Sequence, residues 1–173
     1  MNIKGNKIVL RAVSLKDAEL LMGLINDPET ERMLGGSSFP VSFEEQKSWI
    51  AAQQGRTDVL RCIVMLENDE TGLGTVFLTD IDSKNGVAQV HIKMDKNRGR
   101  GRGYGKDALN TLVNYAFEEM RLNCIYAEVL ESNIPSQTLF EKCGFKKEGL
   151  LRSRVYKEGK YNNMVSFSKL KKD

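Results

Sequence analysis

The fold of this chain is indicated most clearly by the segment Arg98-Gly99-Arg100-Gly101-Arg102-Gly103-Tyr104-Gly105-Lys106. It lies between Val87 to Met94, where apolar and polar residues alternate as in a strand, and Tyr104 to Met120, where apolar residues follow a helical period. Glycines let a backbone turn its N–H groups towards a ligand, and a helix N-terminus adds a partial positive charge. The segment therefore predicts a phosphate-binding loop that leads from a strand into a helix.

Basic residues are concentrated at the same place. Between Lys93 and Lys106 the chain has six lysines and arginines against Asp95 alone, whereas the net charge of all 173 residues is +3. A nucleic-acid surface usually shows a broad basic face, and charge concentrated in one loop is more typical of a local anion site. We therefore expect no nucleic-acid partner.

The glycine pattern also resembles other glycine-rich loops that bind nucleotides or RNA. A Walker loop is excluded because Arg100 and Asp107 stand where that motif needs glycine and serine or threonine. A dinucleotide fingerprint matches Gly103-x-Gly105-x-x-Ala108, but the preceding strand ends near Met94, too far away for the tight turn of that motif. An RNA-binding arginine-glycine tract is normally longer and disordered. A purely structural loop is left open.

Length and composition indicate one globular domain. A chain of 173 residues can bury roughly 70% of its unfolded surface, and 28% charged with 40% hydrophobic residues is an ordinary composition. No apolar run approaches the roughly 18 residues of a membrane span, and the basic N-terminus lacks the apolar segment of a secretory signal. We expect a single domain over residues 1–173, located in the cytoplasm and without a membrane partner.

The cysteines do not indicate a metal site. Cys62, Cys124 and Cys143 lack metal-ligand spacing, and His91 is the only histidine. Small thiols pack well among apolar neighbours, so we expect three buried, reduced cysteines. A cysteine nucleophile would have to use that single histidine as its base, and we expect neither a metal nor such a nucleophile.

Periodicity along the rest of the chain predicts alternating strands and helices. The predicted strands are 7–13, 60–66, 74–79, 87–94, 123–130, 148–154 and 163–170, and the predicted helices follow Ser14, Pro40, Gly103 and Ser132 or Asn133. Asn26-Asp27-Pro28 is expected to end the first helix, residues 67–72 to form a long hairpin loop, and Gly35 to Ser38 to be a mobile loop. This order predicts an α+β fold with a mixed sheet and helices on both faces.

A second segment identifies the phosphate loop more specifically. Arg100-x-x-Gly103-x-Gly105 resembles the Gln/Arg-x-x-Gly-x-Gly/Ala signature of the GNAT acetyltransferase superfamily, and Glu131 to Phe145 resembles its Asn-x-x-Ser/Ala…Tyr-x-Lys-x-Gly-Phe segment. Residues 8–28 and 148–161 are similar to the branch that contains ribosomal-protein N-terminal acetyltransferases and spermidine acetyltransferases. The resemblance covers nearly the whole chain. It implies a GNAT fold with a mostly antiparallel sheet, and an N-acetyltransferase that uses acetyl-CoA on a primary amine.

The resemblance also implies the residues that bind coenzyme A. In this family the fourth and fifth strands splay apart, and the pantetheine arm pairs with the fourth, here at Ile92, Lys93 and Met94. The pyrophosphate would be held by Arg100, Gly101, Arg102, Gly103, Tyr104, Gly105 and Lys106. Asn133 would bind the pantetheine arm, and the helix that follows, with Phe140, would border the thiol end.

Acetylation requires an uncharged amine, so a group must accept the proton of the amine. Glu128 and Glu131 on or after the fifth strand are candidates. Gln89 and His91 on the fourth strand, or an ordered water, are the alternatives. These positions equally suit solvated or hydrogen-bonded residues of a sheet.

The residue that protonates the departing thiolate is not apparent. The family generally uses a tyrosine, and the matching position holds Phe140. Solvent, a backbone donor or Ser136 could take this role, and Ser136 matches a serine implicated in some ribosomal-protein acetyltransferases. The missing hydroxyl leaves open a different class of protein, a catalytically inactive sensor or binding module for coenzyme A.

The sequence does not identify the acceptor among protein N-termini, polyamines, amino acids and amino sugars. A polyamine requires an acidic pocket, which Glu29, Glu31, Glu44 and Glu45 could provide. The same four residues are equally typical of a solvated helix face. Assembly as a homodimer is left open.

Overall fold

The fold is described by a computed structural model over residues 1–36 and 39–173. Its strands are β1 Ile3–Lys4, β2 Val9–Ala12, β3 Leu60–Leu66, β4 Asp69–Asp82, β5 Val87–Met94, β6 Cys124–Leu130, β7 Lys146–Lys157 and β8 Lys160–Leu170. Its helices are α1 Ala18–Asn26, α2 Pro28–Arg32, α3 Phe43–Ala52, α4 Tyr104–Glu118 and α5 Ile134–Lys142, and a 3₁₀ turn, Leu15–Asp17, precedes α1.

The eight strands form one sheet in the order β1-β2-β3-β4-β5-β6-β8-β7. Neighbouring strands are antiparallel except for β5 and β6, which are parallel and are connected through α4. A parallel pair needs such a long crossover, whereas antiparallel neighbours can be joined by short turns. The mixed, mostly antiparallel sheet expected from the resemblance is confirmed.

Helices cover both faces of the sheet, as predicted. On one face α4 and α5 enclose the larger core, which includes Leu109, Leu112 and Phe140. On the other face α1 and α3 pack over Ile63 of β3. Successive residues of a strand point to opposite faces, so Cys62 and Val64 belong to the larger core while Ile63 belongs to the smaller one.

The elements around the glycine loop are close to those predicted. β5 has the predicted bounds, and α4 begins at Tyr104. α5 begins after Asn133, whose side chain accepts a hydrogen bond from the Ser136 N–H, and Gly144 follows the helix with a φ of +82°. The capping side chain of Asn133 and the glycine at position 144 therefore allowed both ends of α5 to be predicted from sequence.

The first helix ends at Asn26, as expected, but a short helix that was not predicted follows it directly, and the expectation of a long loop over residues 67–72 is wrong. Pro28 does not only end α1 but also opens α2, since proline is favoured in the first helical turn and the Asp27 side chain accepts the Thr30 N–H at 2.9 Å. The long loop predicted over residues 67–72 is a tight turn, because β4 already begins at Asp69, which pairs with Leu66. Register shifts in β3 accommodate this turn.

The closing hairpin is longer than predicted. β7 and β8 are joined by Glu158 and Gly159, both with positive φ, which is the conformation of a two-residue type I′ turn. The predicted mobile loop extends over Ser37 and Ser38, which lie outside the described residues. Within the described residues, no helix has the length and apolar character needed to cross a membrane.

Candidate active site

The sheet opens between β5 and β6. These strands pair only from Val87↔Cys124 to Gln89↔Tyr126, and beyond Gln89 the described residues provide no strand partner for this edge of β5. A cleft of about 70 Å³ lies there, lined among others by His91, Ile92, Lys93, Glu128, Asn133, Ser136 and Phe140. An unpaired strand edge can bind an extended ligand through its backbone groups.

The glycine loop meets the same end of β5. A Cβ placed on Gly105, in the first turn of α4, would lie 3.7 Å from Ile92 and 3.5 Å from Met94. The predicted phosphate loop and the cleft are therefore adjacent. Met94 itself packs against the core, and the cleft lining includes Ile92 and Lys93 but not Met94.

The loop has the conformation of an anion cradle. Gly101 and Gly103 both have φ of +79°, in the left-handed region that favours glycine, and nothing lies within 4 Å of the Cβ position of Gly101. The first N–H groups of a helix have no partners within the helix, and no described side chain caps α4. This arrangement fits a diphosphate group.

Half of the predicted basic cluster is neutralised by acids. Lys96 contacts Asp27 at 2.8 Å, Arg98 contacts Asp69 at 3.3 Å, and Arg100 lies 3.7 Å from Glu29. Arg100, predicted to bind the pyrophosphate, is thus directed partly towards α2.

Two predicted cations and one unpredicted lysine lie at the cradle. Arg102 and Lys106 have no ion pair within residues 1–36 and 39–173. The Lys7 Nζ donates to the Arg102 carbonyl at 3.3 Å and lies 3.5 Å from the Cβ position of Gly103. Asp107 holds the Lys7 backbone N–H at 2.6 Å and so positions this lysine. Sequence reasoning missed Lys7 because it lies about 100 residues away along the chain.

Asn133 lines the cleft, but its side chain is largely engaged. It is 8% exposed, its Oδ1 accepts the Ser136 N–H at 3.1 Å, and its Nδ2 donates to the Met33 carbonyl at 2.9 Å. Its evident role is to cap α5 and to hold the end of α2. Its remaining N–H is what could contact a pantetheine arm.

Ser136 and Phe140 lie one turn apart on α5 and both line the cleft. The Phe140 ring is 3% exposed and packs edge-to-face on Phe145 at 5.0 Å and against Phe167 at 6.1 Å. It is a core residue that offers no proton. Ser136 is half-buried and is the hydroxyl side chain in the described lining of the cleft.

Glu128 and Glu131, which are equal candidates for the proton acceptor on sequence alone, differ in their position relative to the cleft. Glu128 lines the cleft. Glu131 lies beyond the end of β6, where its carboxylate accepts a hydrogen bond from the Asn163 side chain at 2.8 Å, and it is not part of the cleft lining. Of these two carboxylates, Glu128 is the one that belongs to the cleft lining.

His91 lies in the cleft as a neutral ring. Burial, assisted by Arg61 and Lys93, lowers its pKa to about 4. Thr79 donates its hydroxyl proton to Asp80, so it accepts a hydrogen bond from the His91 Nε2–H at 2.9 Å, and Nδ1 carries the lone pair. With this pKa, His91 is a weak acceptor for the proton of an amine.

The four acids considered for a polycation pocket are engaged elsewhere. Glu29 contacts Lys96 and Arg100, Glu31 contacts Lys157 at 2.8 Å, Glu44 contacts Lys47, and Glu45 caps α3 through the Ser42 N–H. They do not converge on the cleft.

The cysteines are free, as predicted. Cys62 and Cys143 are buried, and burial raises the pKa of the Cys62 thiol to about 11. Cys124 is only half-buried, which differs from the expectation. In the described part of the chain, no three His, Cys, Asp or Glu side chains cluster as metal ligands would.

Comparison with known proteins agrees with this geometry. The sequence profile of the acetyltransferase (GNAT) domain matches residues 7–146. The uncharacterized N-acetyltransferase p20 of Bacillus licheniformis is 30% identical over 172 residues, covering 96% of this chain and 94% of that protein. The putative ribosomal N-acetyltransferase YdaF of Bacillus subtilis is 29% identical over 170 residues, covering 96% and 92%. The chain therefore belongs to the GNAT family of N-acetyltransferases.

The fold also matches a solved structure. The spermidine N-acetyltransferase of Vibrio cholerae, crystallised with CoA and spermine, superposes with a TM-score of 0.89 over 96% of each chain, at 23% identity. At this identity the likeness establishes the fold alone. The GNAT fold implied by the sequence is confirmed.

Proposed function

We propose that this protein transfers the acetyl group of acetyl-CoA to a primary amine. The observation that carries the proposal is the contact between the N-terminus of α4, with its glycine cradle, and the unpaired end of β5. A diphosphate site and an edge that can pair with an extended arm are thereby joined, and together they suit coenzyme A.

The chain's own groups have distinct roles in this proposal. The backbone N–H groups from Gly101 to Lys106, with Arg102, Lys106 and Lys7, bind the diphosphate. The free edge of β5 at Ile92 and Lys93 orients the arm towards the cleft. Bound acetyl-CoA supplies an acyl group activated as a thioester.

Proton transfer is assigned to two side chains of the cleft. Glu128 accepts the proton of the amine, directly or through a water, because its carboxylate belongs to the cleft lining whereas Glu131 does not. Ser136 is the hydroxyl available to the departing sulfur in place of the tyrosine that Phe140 replaces.

Two measurements test the function. Acetyl-CoA should raise the melting temperature while NAD and ATP do not, since a ligand at 100 times its Kd stabilises the native state by about 2.7 kcal/mol. Release of coenzyme A is then measured over a panel of primary amines. Glu128→Gln and Ser136→Ala should each lower turnover by roughly 10² or more if they transfer protons. Stabilisation by NAD alone would contradict the assignment.

A coenzyme A-binding module is the second candidate, and the buried Phe140 favours it because the family's usual proton donor is absent. Stabilisation by acetyl-CoA with no acetylation of any amine in the panel would support it. A coenzyme A thiol is comparable to a cysteine, with a pKa of about 8.5. It can therefore depart slowly without an acid, so we expect measurable turnover.

A further inference from the structure

A second, larger cavity adjoins the cleft. A groove of about 380 Å³ lies on the face of the sheet covered by α1 and α3. Its walls are largely apolar and include Leu21, Leu24, Val41, Trp49 and Phe77. Lys93 lines both this groove and the cleft, so the two cavities meet at its side chain. A molecule in the groove would therefore lie next to the cleft.

Two neighbouring cross-strand rows contribute Arg61, Phe77, Thr75 and Lys93 to the floor of the groove. Arg61, Phe77 and His91 are register partners on β3, β4 and β5, and Ile63, Thr75 and Lys93 form the next such row. Register partners share one face of a sheet. The Arg61 guanidinium lies 4.7 Å from the centre of the Phe77 ring and 4.8 Å from that of Trp49 on α3. Aromatic contacts on both rings hold the guanidinium in place.

Neither cation of the floor has a carboxylate partner in the described part of the chain. The Arg61 Nε donates to the Gln53 side chain at 3.2 Å, an uncharged acceptor. The neighbouring acids are paired elsewhere, Asp58 with Arg56, Glu31 with Lys157 and Glu45 with the Ser42 backbone. Burial lowers the pKa of both Arg61 and Lys93, and the attraction of Asp58 for Arg61 and of Glu31 for Lys93 offsets this effect only in part.

A third polar group of the groove is also unpaired. Gln46 is 5% exposed and lines the groove, and its side-chain amide has no hydrogen-bond partner among residues 1–36 and 39–173. The amide atoms of Gln46 are not among the fully buried unpaired atoms of the described residues, so they reach the groove and can hydrogen-bond a ligand there. Two cations and one amide directed at one apolar groove indicate a ligand with an anionic, hydrogen-bonding group.

We propose that the acetyl acceptor is a primary amine on an apolar body that carries a carboxylate, with the carboxylate bound by Arg61 and the amine placed at Lys93 and Glu128. This assignment rests on the proposed acetyltransferase function. The planar guanidinium matches a carboxylate in a two-bond geometry, and the aromatic walls match the apolar body. A polyamine is disfavoured because its charges would face Arg61 and Lys93, and Glu45, the carboxylate in the groove lining, is held at the start of α3 by the Ser42 N–H.

The test compares amines that differ in one group. The probes are 4-(aminomethyl)benzoic acid, benzylamine, which lacks only the carboxylate, and spermidine. We expect kcat/KM for 4-(aminomethyl)benzoic acid to exceed that for benzylamine by roughly ten- to hundredfold, the range for a hydrogen bond to a charged group. Equal values for the two probes, or a preference for spermidine, would overturn the proposal. This comparison uses the unmodified protein and does not depend on any variant.

Two variants test whether Arg61 causes the preference for the amine that carries a carboxylate. Arg61→Gln should reduce the ratio of the two kcat/KM values towards one, whereas Arg56→Gln should leave the ratio unchanged. Arg56 is the matched control because it is an exposed arginine of the same region that pairs with Asp58 and does not line the groove. A ratio unaffected by Arg61→Gln in folded protein would overturn the proposal. If no amine is acetylated and acetyl-CoA does not raise the melting temperature, the acetyltransferase function itself is contradicted.

Discussion

Single residues determine the shape of the phosphate cradle. Gly103 combines a left-handed backbone with a position directly before α4, and its Cβ position faces the Lys7 ammonium. A side chain there would both strain the backbone and enter the site. The sequence motif predicted this glycine, but the neighbouring Lys7 became evident only from the fold.

We expect Gly103→Asp to raise the Kd for acetyl-CoA by about tenfold or more, because a carboxylate would repel the diphosphate and attract Lys7. The left-handed backbone adds a cost of about 1 kcal/mol to stability. Isothermal titration calorimetry with a thermal melt measures both quantities.

The control for this variant is Gly159→Asp. Gly159 has a φ of +76° and nothing within 4 Å of its Cβ position, but it lies in the β7–β8 turn. It should reproduce the loss of stability and leave the Kd unchanged. An equal Kd for both variants and the natural protein would place the diphosphate elsewhere.

Among the elements, α5 depends most on one side chain. Asn133 accepts the Ser136 N–H at the start of the helix and donates to the Met33 carbonyl at the end of α2. The same residue therefore positions the helix that presents Ser136 and the chain segment that borders the cleft.

Asn133→Ala should lower the free energy of unfolding by roughly 2 to 3 kcal/mol, from the lost cap and the unpaired Met33 carbonyl. Chemical denaturation measures the change. Asn114→Ala is the matched control, since Asn114 is an exposed residue within α4 and should have little effect. Equal midpoints for the two variants would show that the Asn133 contacts contribute little.

The elements also show what the sequence could predict. β5, α4 and α5 follow from local signals: alternation, helical periodicity and a side-chain cap. α2 was missed because Asp27-Pro28 suits both the end of one helix and the start of the next. The two-residue turn at Glu67 was missed because register shifts in β3 set its length.

The groove could not be predicted from sequence for a different reason. Arg61, Phe77 and His91 become neighbours only through the registers of β3, β4 and β5. Their spacing along the chain carries no such information. The residues of the cleft could be predicted because family motifs mark them. The choice between Glu128 and Glu131 could not, because it depends on where β6 ends.

At the scale of the molecule, the sheet consists of two parts joined by the three residue pairs between β5 and β6. The larger core nevertheless continues across this junction, since Val90 of β5, Leu109 of α4, Val129 of β6 and Phe167 of β8 belong to it. Burial across the junction should couple the two parts despite the few backbone hydrogen bonds.

We therefore expect a single cooperative unfolding transition, the behaviour of one domain. Far-ultraviolet circular dichroism, which reports secondary structure, and tryptophan fluorescence, which reports Trp49 on α3, should give coincident midpoints in urea. A separate transition for one part of the sheet would contradict the expectation of one domain.

The two parts of the sheet are synthesised one after the other. β1 to β5 and α4 all lie within the first 118 residues, and the strands that complete the sheet, β6, β7 and β8, come afterwards. At 5 to 20 residues per second, the roughly 12 residues from 119 to 130 that complete β6 take roughly 0.6 to 2.4 seconds to translate. During that interval the nascent chain presents an uncovered strand edge at β5 beside apolar residues of the future core. Until β6 arrives, that edge can bind chaperones or pair with other strands.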